Sequence, residues 1–205
     1  MKIVLEKIGR RFNRDWIFKD VNYTFESENS YAILGANGSG KSTLLQIISG
    51  SLTSSTGNVV YSQNSKTLEI ENAYQHLSLA APYLELIEEF TLEEIADFHF
   101  SFKRYREGMD SNAFFDLLAL KNARKKLLKN FSSGMKQRVK LALAFCSDTP
   151  VLLLDEPTSN LDEQGTDWYL SLIERFSKNR LVVVCSNQKH EYEFCNFTLD
   201  VTNYK

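Results

Sequence analysis

A glycine-rich loop between an apolar run and an amphipathic segment constrains this chain more than any other feature. Residues 35–43 read GANGSGKST, directly after the run YAIL and before the run LLQII. This order predicts a buried strand, a tight loop and a helix. Glycines let such a loop turn several backbone N–H groups toward one point, and the helix adds its unpaired N-terminal donors. The context therefore predicts a cradle for phosphate groups.

Two side chains of the loop complete this chemistry. Lys41 is placed to reach the outer phosphates of a nucleotide, and the Ser42 hydroxyl is placed to hold Mg²⁺. The alternative is a glycine-rich turn that only begins a helix. The spacing G-x-x-x-x-G-K-S, in the strand–loop–helix context, favours the phosphate site.

Composition limits the class of protein. The chain has 205 residues, of which 43% are hydrophobic and 24% charged, and a net charge of −2. These values are typical of one globular α/β domain and give no reason to expect nucleic-acid binding. The three cysteines have no C-x-x-C spacing, so we expect reduced, mostly buried thiols and a cytosolic protein. Charges interrupt the N-terminal apolar residues too early for a signal peptide, and no apolar run is long enough to span a bilayer.

The hydrophobic pattern divides the chain into two kinds of structure. Residues 1–34 alternate as antiparallel strands do, and short strands are expected at 58–62, 67–70 and 76–80. Helical spacing dominates from about residue 84 to 149, and another helix is expected near 163–177. The continuous apolar runs at 151–154 and 181–185 are typical of strands buried on both faces of a parallel sheet. We therefore expect a parallel α/β core with an inserted helical block.

A pair of carboxylates follows one of these buried runs. Asp155 and Glu156 come directly after the run VLLL, at the end of the strand where open parallel sheets bind their ligands. Asp155 is placed to hold Mg²⁺, and Glu156 to orient or deprotonate an attacking water. Taken alone, the pair could be a solvated turn. The phosphate loop upstream favours the functional interpretation.

A serine–glycine segment precedes the helix expected at 136–147. Residues 131–135 read FSSGM. On its own this segment is a common helix cap. Its position shortly before the carboxylate pair makes it a candidate for a third functional motif.

In this order the motifs resemble those of the nucleotide-binding subunit of ATP-binding-cassette (ABC) proteins, over nearly the whole chain. Residues 35–43 resemble the Walker A loop, 131–135 a degenerate signature motif, 151–156 the Walker B strand with its catalytic glutamate, and 159–162 the D-loop. Phe12 falls where the family stacks an aromatic ring on adenine. Trp16 is a second candidate for that role, and Phe12 could instead be a core residue.

The resemblance implies a fold, a reaction and a set of residues. The fold would be α/β, a P-loop NTPase parallel-sheet core with N-terminal antiparallel strands and an inserted helical subdomain at about 84–149, in one domain spanning 1–205. The cofactors would be ATP and Mg²⁺, with Glu156 as the catalytic base and Ser42 and Asp155 as metal ligands. The nucleotide would contact Phe12, Gly35, Asn37, Gly38, Ser39, Gly40, Lys41, Ser42, Thr43, Ser132, Gly134 and Asn187.

The resemblance also implies partners. Two such subunits pair head to tail, as a homodimer in the ATP-bound state, so that Ser132 and Gly134 contact the nucleotide of the other copy. A separate transmembrane permease subunit would dock in a groove lined by Pro82, Tyr83, Leu84, Leu86 and Ile87, and would hold the protein on the cytoplasmic face of the membrane. The residues of that groove could instead be ordinary helical core. Two alternatives remain at this point: a soluble ABC ATPase, for example of the iron–sulfur-assembly type, and a nucleotide sensor without turnover.

Several positions depart from the family. Ser133 and Met135 replace the usual glycine and glutamine of the signature motif. In the family, a glutamine that senses Mg²⁺ precedes a segment like TLEE at a fixed distance. In this chain that position is Pro82, and Gln75 would need a different loop path to take the place of the glutamine. Asn187 replaces the switch histidine; its amide can donate to a phosphate but cannot carry a proton, and His190 is expected on the surface. Because Glu156 remains, we expect slow to moderate ATPase activity.

Overall fold

Two sheets organise the molecule in this computed structural model. The structure describes residues 1–205, except for the side chain of Lys121. One sheet has four antiparallel strands in the order β2-β1-β4-β5, and the other has five parallel strands in the order β6-β7-β8-β3-β9. The strands are β1 Lys2–Phe12, β2 Asp15–Glu26, β3 Ser30–Leu34, β4 Thr56–Gln63, β5 Lys66–Leu68, β6 Leu77–Ala80, β7 Val151–Asp155, β8 Leu181–Cys185 and β9 Phe197–Asp200.

The antiparallel sheet follows the two-residue alternation of the sequence. Ile3 and Leu5 on β1 are buried, whereas Lys2 and Glu6 are exposed. Ile3 lies opposite Phe25 of β2 and Tyr61 of β4, so one face of the sheet covers the core. A turn at residues 13–14 connects β1 to β2.

The parallel sheet is buried on both faces at its centre. Every residue of β7 and β8 is buried, as the continuous apolar runs predict. The register pairs Leu154 with Ala80 on one side and with Val184 on the other, and Val184 pairs with Ala32 of β3. The carboxyl ends of four strands therefore lie side by side along one edge of the sheet.

Six helices cover these sheets. They are α1 Lys41–Ile48, α2 Leu92–Phe102, α3 Ser111–Leu118, α4 Ser133–Cys146, α5 Glu163–Phe176 and α6 Lys189–Tyr192. Local capping explains where several of them begin. Thr91 and Glu94 form a reciprocal capping box at the start of α2, and Asp110, Ser132 and Asp162 each accept a backbone N–H at the start of α3, α4 and α5. Short 3₁₀ helices occur at Ile70–His76, Lys121–Ala123, Leu128–Asn130 and Val201–Tyr204.

The predicted α/β organisation is confirmed, with additions at the C-terminus. The helical block at about 84–149 contains α2, α3 and α4. The sequence pattern did not predict α6 or β9, although β9 pairs with β3 as the last strand of the parallel sheet. β9 is short and partly exposed, so its hydrophobic pattern is weak.

A half-buried histidine connects two helices of the helical block. The ring Nε2 of His99 on α2 lies 2.8 Å from the hydroxyl of Ser147, at the end of α4. Burial, together with the nearby Lys103 ammonium, lowers the pKa of His99 to about 4, and the Leu143 carbonyl partly opposes the change. His99 is therefore neutral in the folded protein at neutral pH.

We expect His99 to make the protein less stable in mild acid. The unfolded chain binds a proton at His99 near the ordinary value of about 6.5, but the folded chain binds it only near 4. Stability from this residue is therefore complete above about pH 6.5 and is lost as the pH falls toward about 4, with a slope of at most about 1.4 kcal/mol per pH unit. Urea unfolding across this interval should show the slope reduced in His99→Gln, while the control His76→Gln should keep it.

Candidate nucleotide site

The glycine loop, residues 35–43, connects β3 to α1 at the carboxyl edge of the parallel sheet. Gly40 has φ of 106°, and a Cβ there would lie 2.4 Å from the Ile17 side chain, so only glycine fits without displacing β2. Among the described side chains none caps the start of α1. The first amides of that helix are therefore available to an anion.

Lys41 is held at the centre of the glycine loop. Its side chain is buried, and its ammonium donates to the carbonyl oxygens of Gly35 at 2.7 Å and Ala36 at 3.2 Å. Carbonyl oxygens are weaker partners for an ammonium than phosphate oxygens, because they carry only partial charge. Lys41 is thus pre-positioned for a phosphate group within the loop.

The carboxylate pair, Asp155 and Glu156, lies beside the loop but in two different environments. Asp155 is 1% exposed, and neither of its carboxylate oxygens has a hydrogen-bond partner of good geometry among the described residues. Burial, together with the nearby Glu156 carboxylate, raises the pKa of Asp155 to about 6, and the Ser42 hydroxyl and the Lys41 ammonium partly oppose the rise. A buried carboxylate with two free oxygens beside a serine hydroxyl fits a divalent cation such as Mg²⁺.

Glu156 is exposed and faces the glycine loop. Its backbone has φ of 40°, a conformation that residues other than glycine rarely adopt, and its N–H donates to the Cys185 carbonyl at 2.9 Å. Its side chain lines a small cavity together with Ile17 and residues of the loop from Asn37 to Thr43. A carboxylate that opens onto the loop from the sheet edge is suitably placed to act as a general base.

Asn187 also meets the glycine loop. It follows β8, and its amide nitrogen donates to the Asn37 side-chain oxygen at 2.7 Å. The structure therefore brings the predicted residues of the loop, the carboxylate pair and Asn187 together at one edge. His190 is exposed, as expected, and its ring lies 3.2 Å from the Thr158 hydroxyl.

The signature segment, residues 131–135, opens onto a different cavity. Ser132 accepts the Met135 N–H at the start of α4, and a Cβ on Gly134 would lie 2.8 Å from the Asn160 carbonyl. This cavity is lined by the segment and by residues 160–162, and it shares no described lining residue with the cavity at the glycine loop. Within one chain the two parts of the predicted nucleotide site are thus separate.

The two aromatic candidates for adenine lie on the two paired strands β1 and β2, but only one of them is exposed. Phe12 is 51% exposed at the end of β1, so the core interpretation of this residue is wrong, and the Arg10 guanidinium lies 4.6 Å from its ring centroid. Trp16 packs against Gly9 and lines a separate cavity on the antiparallel sheet with Lys7 and Lys19. An exposed ring at the end of β1 is the better platform for stacking.

Sequence reasoning missed a connection between α4 and the residue after the carboxylate pair. Gln137, in the second turn of α4, is 1% exposed, and its amide donates to the Pro157 carbonyl at 2.9 Å. Nearby, buried Glu191 accepts from the Thr158 N–H at 2.7 Å and from its hydroxyl. In the sequence, the only signal for the contact of Gln137 with Pro157 is a glutamine among the apolar residues on one face of α4.

Gln75, the alternative candidate for the residue that senses Mg²⁺, lies in the 3₁₀ helix before β6 and is exposed. It is at the opposite end of that strand from the site.

Comparison with known proteins decides the family. A family model described as "ABC transporter" matches residues 18–159. The chain belongs to the ABC transporter family. This cassette is an ATPase of that family, and the predicted family and α/β fold are confirmed.

Curated relatives and solved structures agree with this assignment. The cassette is 28% identical to the energy-coupling factor transporter ATP-binding protein EcfA1 of Thermotoga maritima, over 99% of this chain and 79% of the relative. It is 26% identical to the lantibiotic transport ATP-binding protein SrtF of Streptococcus pyogenes, over 94% of this chain and 85% of the relative. A putative ABC transporter ATP-binding protein from Pyrococcus furiosus superposes with a TM-score of 0.82 at 22% identity, over 100% of both chains. The bacterial cassette MJ0796, solved as a dimer, superposes with a TM-score of 0.81 at 22% identity, over 97% of this chain and 94% of that one.

We expect Asp155→Asn to stabilise the cassette without ligand and to remove its response to Mg-ATP. The raised pKa of Asp155 means that stability from this residue is complete below its ordinary value of about 4 and is lost as the pH rises through about 6. At pH 8 the neutral amide should therefore raise the free energy of unfolding, by up to about 3 kcal/mol. Urea unfolding at pH 8, with and without Mg-ATP, measures both effects. A variant less stable than the original protein at pH 8 would contradict this account.

Proposed function

We propose that this cassette binds Mg-ATP between two copies arranged head to tail and hydrolyses it with Glu156. The observation that carries the proposal is the arrangement of three groups at one sheet edge: the buried Lys41 ammonium, the unpartnered Asp155 carboxylate and the exposed Glu156 carboxylate. Lys41 would neutralise phosphate charge, Asp155 and Ser42 would hold Mg²⁺, and Glu156 would accept a proton from the attacking water. Bound Mg²⁺ would supply neutralisation of the charge on the phosphates.

The separation of the two cavities supports a nucleotide site that a second copy of the cassette completes. Ser132 and Gly134 line a cavity that has no described residue in common with the one at the glycine loop, so a second copy would bring them to the nucleotide. The start of α4 directs backbone N–H groups and its positive dipole end toward that cavity. MJ0796 has been solved as a dimer, also in a post-hydrolysis state with ADP and phosphate.

Two further residues would contact the nucleotide. Phe12 would stack on the adenine, and Asn187 would donate to the outer phosphate.

We expect Glu156→Gln to separate hydrolysis from binding. Removing a general base should lower the rate of ATP hydrolysis by at least about 100-fold, while the affinity for Mg-ATP is retained. The variant should also accumulate as a dimer in Mg-ATP, because ATP that is not hydrolysed keeps the two copies together. A phosphate-release assay and size-exclusion chromatography with light scattering measure the two effects. Glu174→Gln, on the exposed face of α5, is the matched control; an unchanged rate in Glu156→Gln would refute its role as the base.

We further propose that the cassette drives a separate membrane-spanning permease. No helix among the described residues is long and apolar enough to cross a bilayer. The segment after β6 exposes three large apolar side chains, Tyr83 at 41%, Leu84 at 36% and Ile87 at 39%. Apolar side chains exposed together on a loop are typical of a protein–protein contact. This docking surface, residues 82–87, favours a transport role on the cytoplasmic face of the membrane over a soluble ABC ATPase of the iron–sulfur-assembly type.

Charge on the docking surface should release the cassette from membranes. The double change Leu84→Glu and Ile87→Glu places two carboxylates where an apolar contact would form, and burying unpaired charge is costly. We expect cassette expressed in its own cells to co-sediment with membranes, and the double variant to move to the soluble fraction while it still binds ATP. Thr198→Glu, on β9 at the opposite edge of the parallel sheet, adds a charge elsewhere and should stay with membranes. Original protein found only in the soluble fraction would instead favour the soluble ATPase.

A further inference from the structure

The strained backbone of Glu156 begins a tight turn after β7. The Glu156 carbonyl accepts the Ser159 N–H at 3.0 Å, and Pro157, with its restricted φ and no N–H, is the second residue of the turn. Glu156 itself has φ of 40°, in the left-handed region. Such a conformation persists only where the surrounding contacts determine it. The direction of the Glu156 side chain therefore depends on what holds this turn.

One peptide group of the turn is held from both sides. It joins Pro157 to Thr158, and in a planar trans peptide the carbonyl and the N–H point in opposite directions. The carbonyl accepts the amide N–H of Gln137, from α4, at 2.9 Å. The N–H donates to the buried carboxylate of Glu191, from α6, at 2.7 Å. Two side chains from different helices thus fix the plane of this peptide.

The fixed peptide restricts the backbone of Glu156. Pro157 is bonded directly to Glu156, and its ring allows little rotation about φ. On the other side, the Glu156 N–H donates to the Cys185 carbonyl at 2.9 Å. A rotation of the Glu156 backbone would therefore break or weaken one of these hydrogen bonds. The Glu156 side chain extends from this restrained backbone to the cavity at the glycine loop.

The burial of Gln137 is costly unless its hydrogen bond matters. Gln137 is 1% exposed on α4, and its amide oxygen has no hydrogen-bond partner among the described residues. Burying a half-satisfied amide costs free energy that an apolar side chain of similar size would not cost. Packing alone therefore does not account for a glutamine at this position. What the side chain contributes is the hydrogen bond to Pro157.

We propose that Gln137 is a positioning residue for Glu156. Its amide holds the Pro157 carbonyl and so keeps the Glu156 carboxylate directed at the place of the attacking water. Gln137 is not among the described residues that line the cavity at the glycine loop, so it acts through Glu156 and not on the nucleotide. The inference rests on the proposed role of Glu156 as the general base.

Gln137→Met tests this role because it keeps an unbranched side chain of similar length and removes the amide. The measurement is hydrolysis of radiolabelled ATP at increasing Mg-ATP, in protein with Glu156 and in Glu156→Gln. With Glu156 present, we expect kcat to fall about 10- to 100-fold at an unchanged KM, because misplacing a catalytic group by about 1 Å can cost about 100-fold. In Glu156→Gln, the same change should not lower the residual rate further, because residues that act as a unit are not additive.

Tyr61→Phe is the matched control. Tyr61 is also 1% exposed, and its hydroxyl donates to the Ile48 carbonyl at 2.9 Å, at the opposite end of α1 from the glycine loop. The control removes a buried hydrogen bond to a backbone carbonyl, as Gln137→Met does, so it should lower stability without lowering kcat. If Gln137→Met does not fold, Gln137→Asn, whose amide is one methylene shorter, takes its place in both backgrounds.

Each other outcome overturns a defined part of the proposal. An unchanged kcat in Gln137→Met with Glu156 present means that Gln137 has no positioning role. An equal fall in both backgrounds, a higher KM at the same kcat, or the failure of both Gln137 variants to fold assigns Gln137 to the fold or to nucleotide binding, and the inference is again wrong. If Glu156→Gln alone hydrolyses ATP at the original rate, Glu156 is not the base, and the role of Gln137 fails with it.

Discussion

The in-register pairing of four buried parallel strands is the constraint on which the rest of this structure depends. Because β6, β7, β8 and β3 pair without a shift, their carboxyl ends meet along one edge, and three of these strands lead into the candidate site. The carboxylate pair lies at the end of β7, Asn187 follows β8, and the glycine loop follows β3. A slip of one residue in β7 would turn Asp155 to the other face of the sheet and separate it from Lys41 and Ser42.

The site is built from groups that do not satisfy one another. Asp155 is buried with both oxygens unpartnered among the described residues, Lys41 donates to backbone carbonyls, and Glu156 has a left-handed backbone conformation. The unpartnered Asp155 carboxylate and the left-handed backbone of Glu156 lower the stability of the cassette without ligand. Mg-ATP would supply the missing partners, so binding should stabilise the folded state as well as fill the site. Strain and unpaired charge at a functional site are expected where ligand binding must be strongly favourable.

The parts of the site that could be predicted are those in which local sequence determines local geometry. The glycine loop and the carboxylate pair each follow an apolar run directly, so the strand, the turn and the exposed ends are adjacent along the chain. The contacts of Gln137 with Pro157 and of Glu191 with Thr158 join segments far apart in sequence. No hydrophobic periodicity distinguishes these two side chains from ordinary neighbours. The same reason explains why β9, a short and partly exposed strand, was not predicted.

By itself, the sequence determined the α/β class, the phosphate-binding loop and the two carboxylates, because these depend on hydrophobic spacing and on residues next to one another. Only the tertiary structure decided that Phe12 is exposed, and that Trp16 and the signature segment line cavities separate from the one at the glycine loop. These outcomes depend on strand order and register, which are set by packing the whole core and not by any local run of residues.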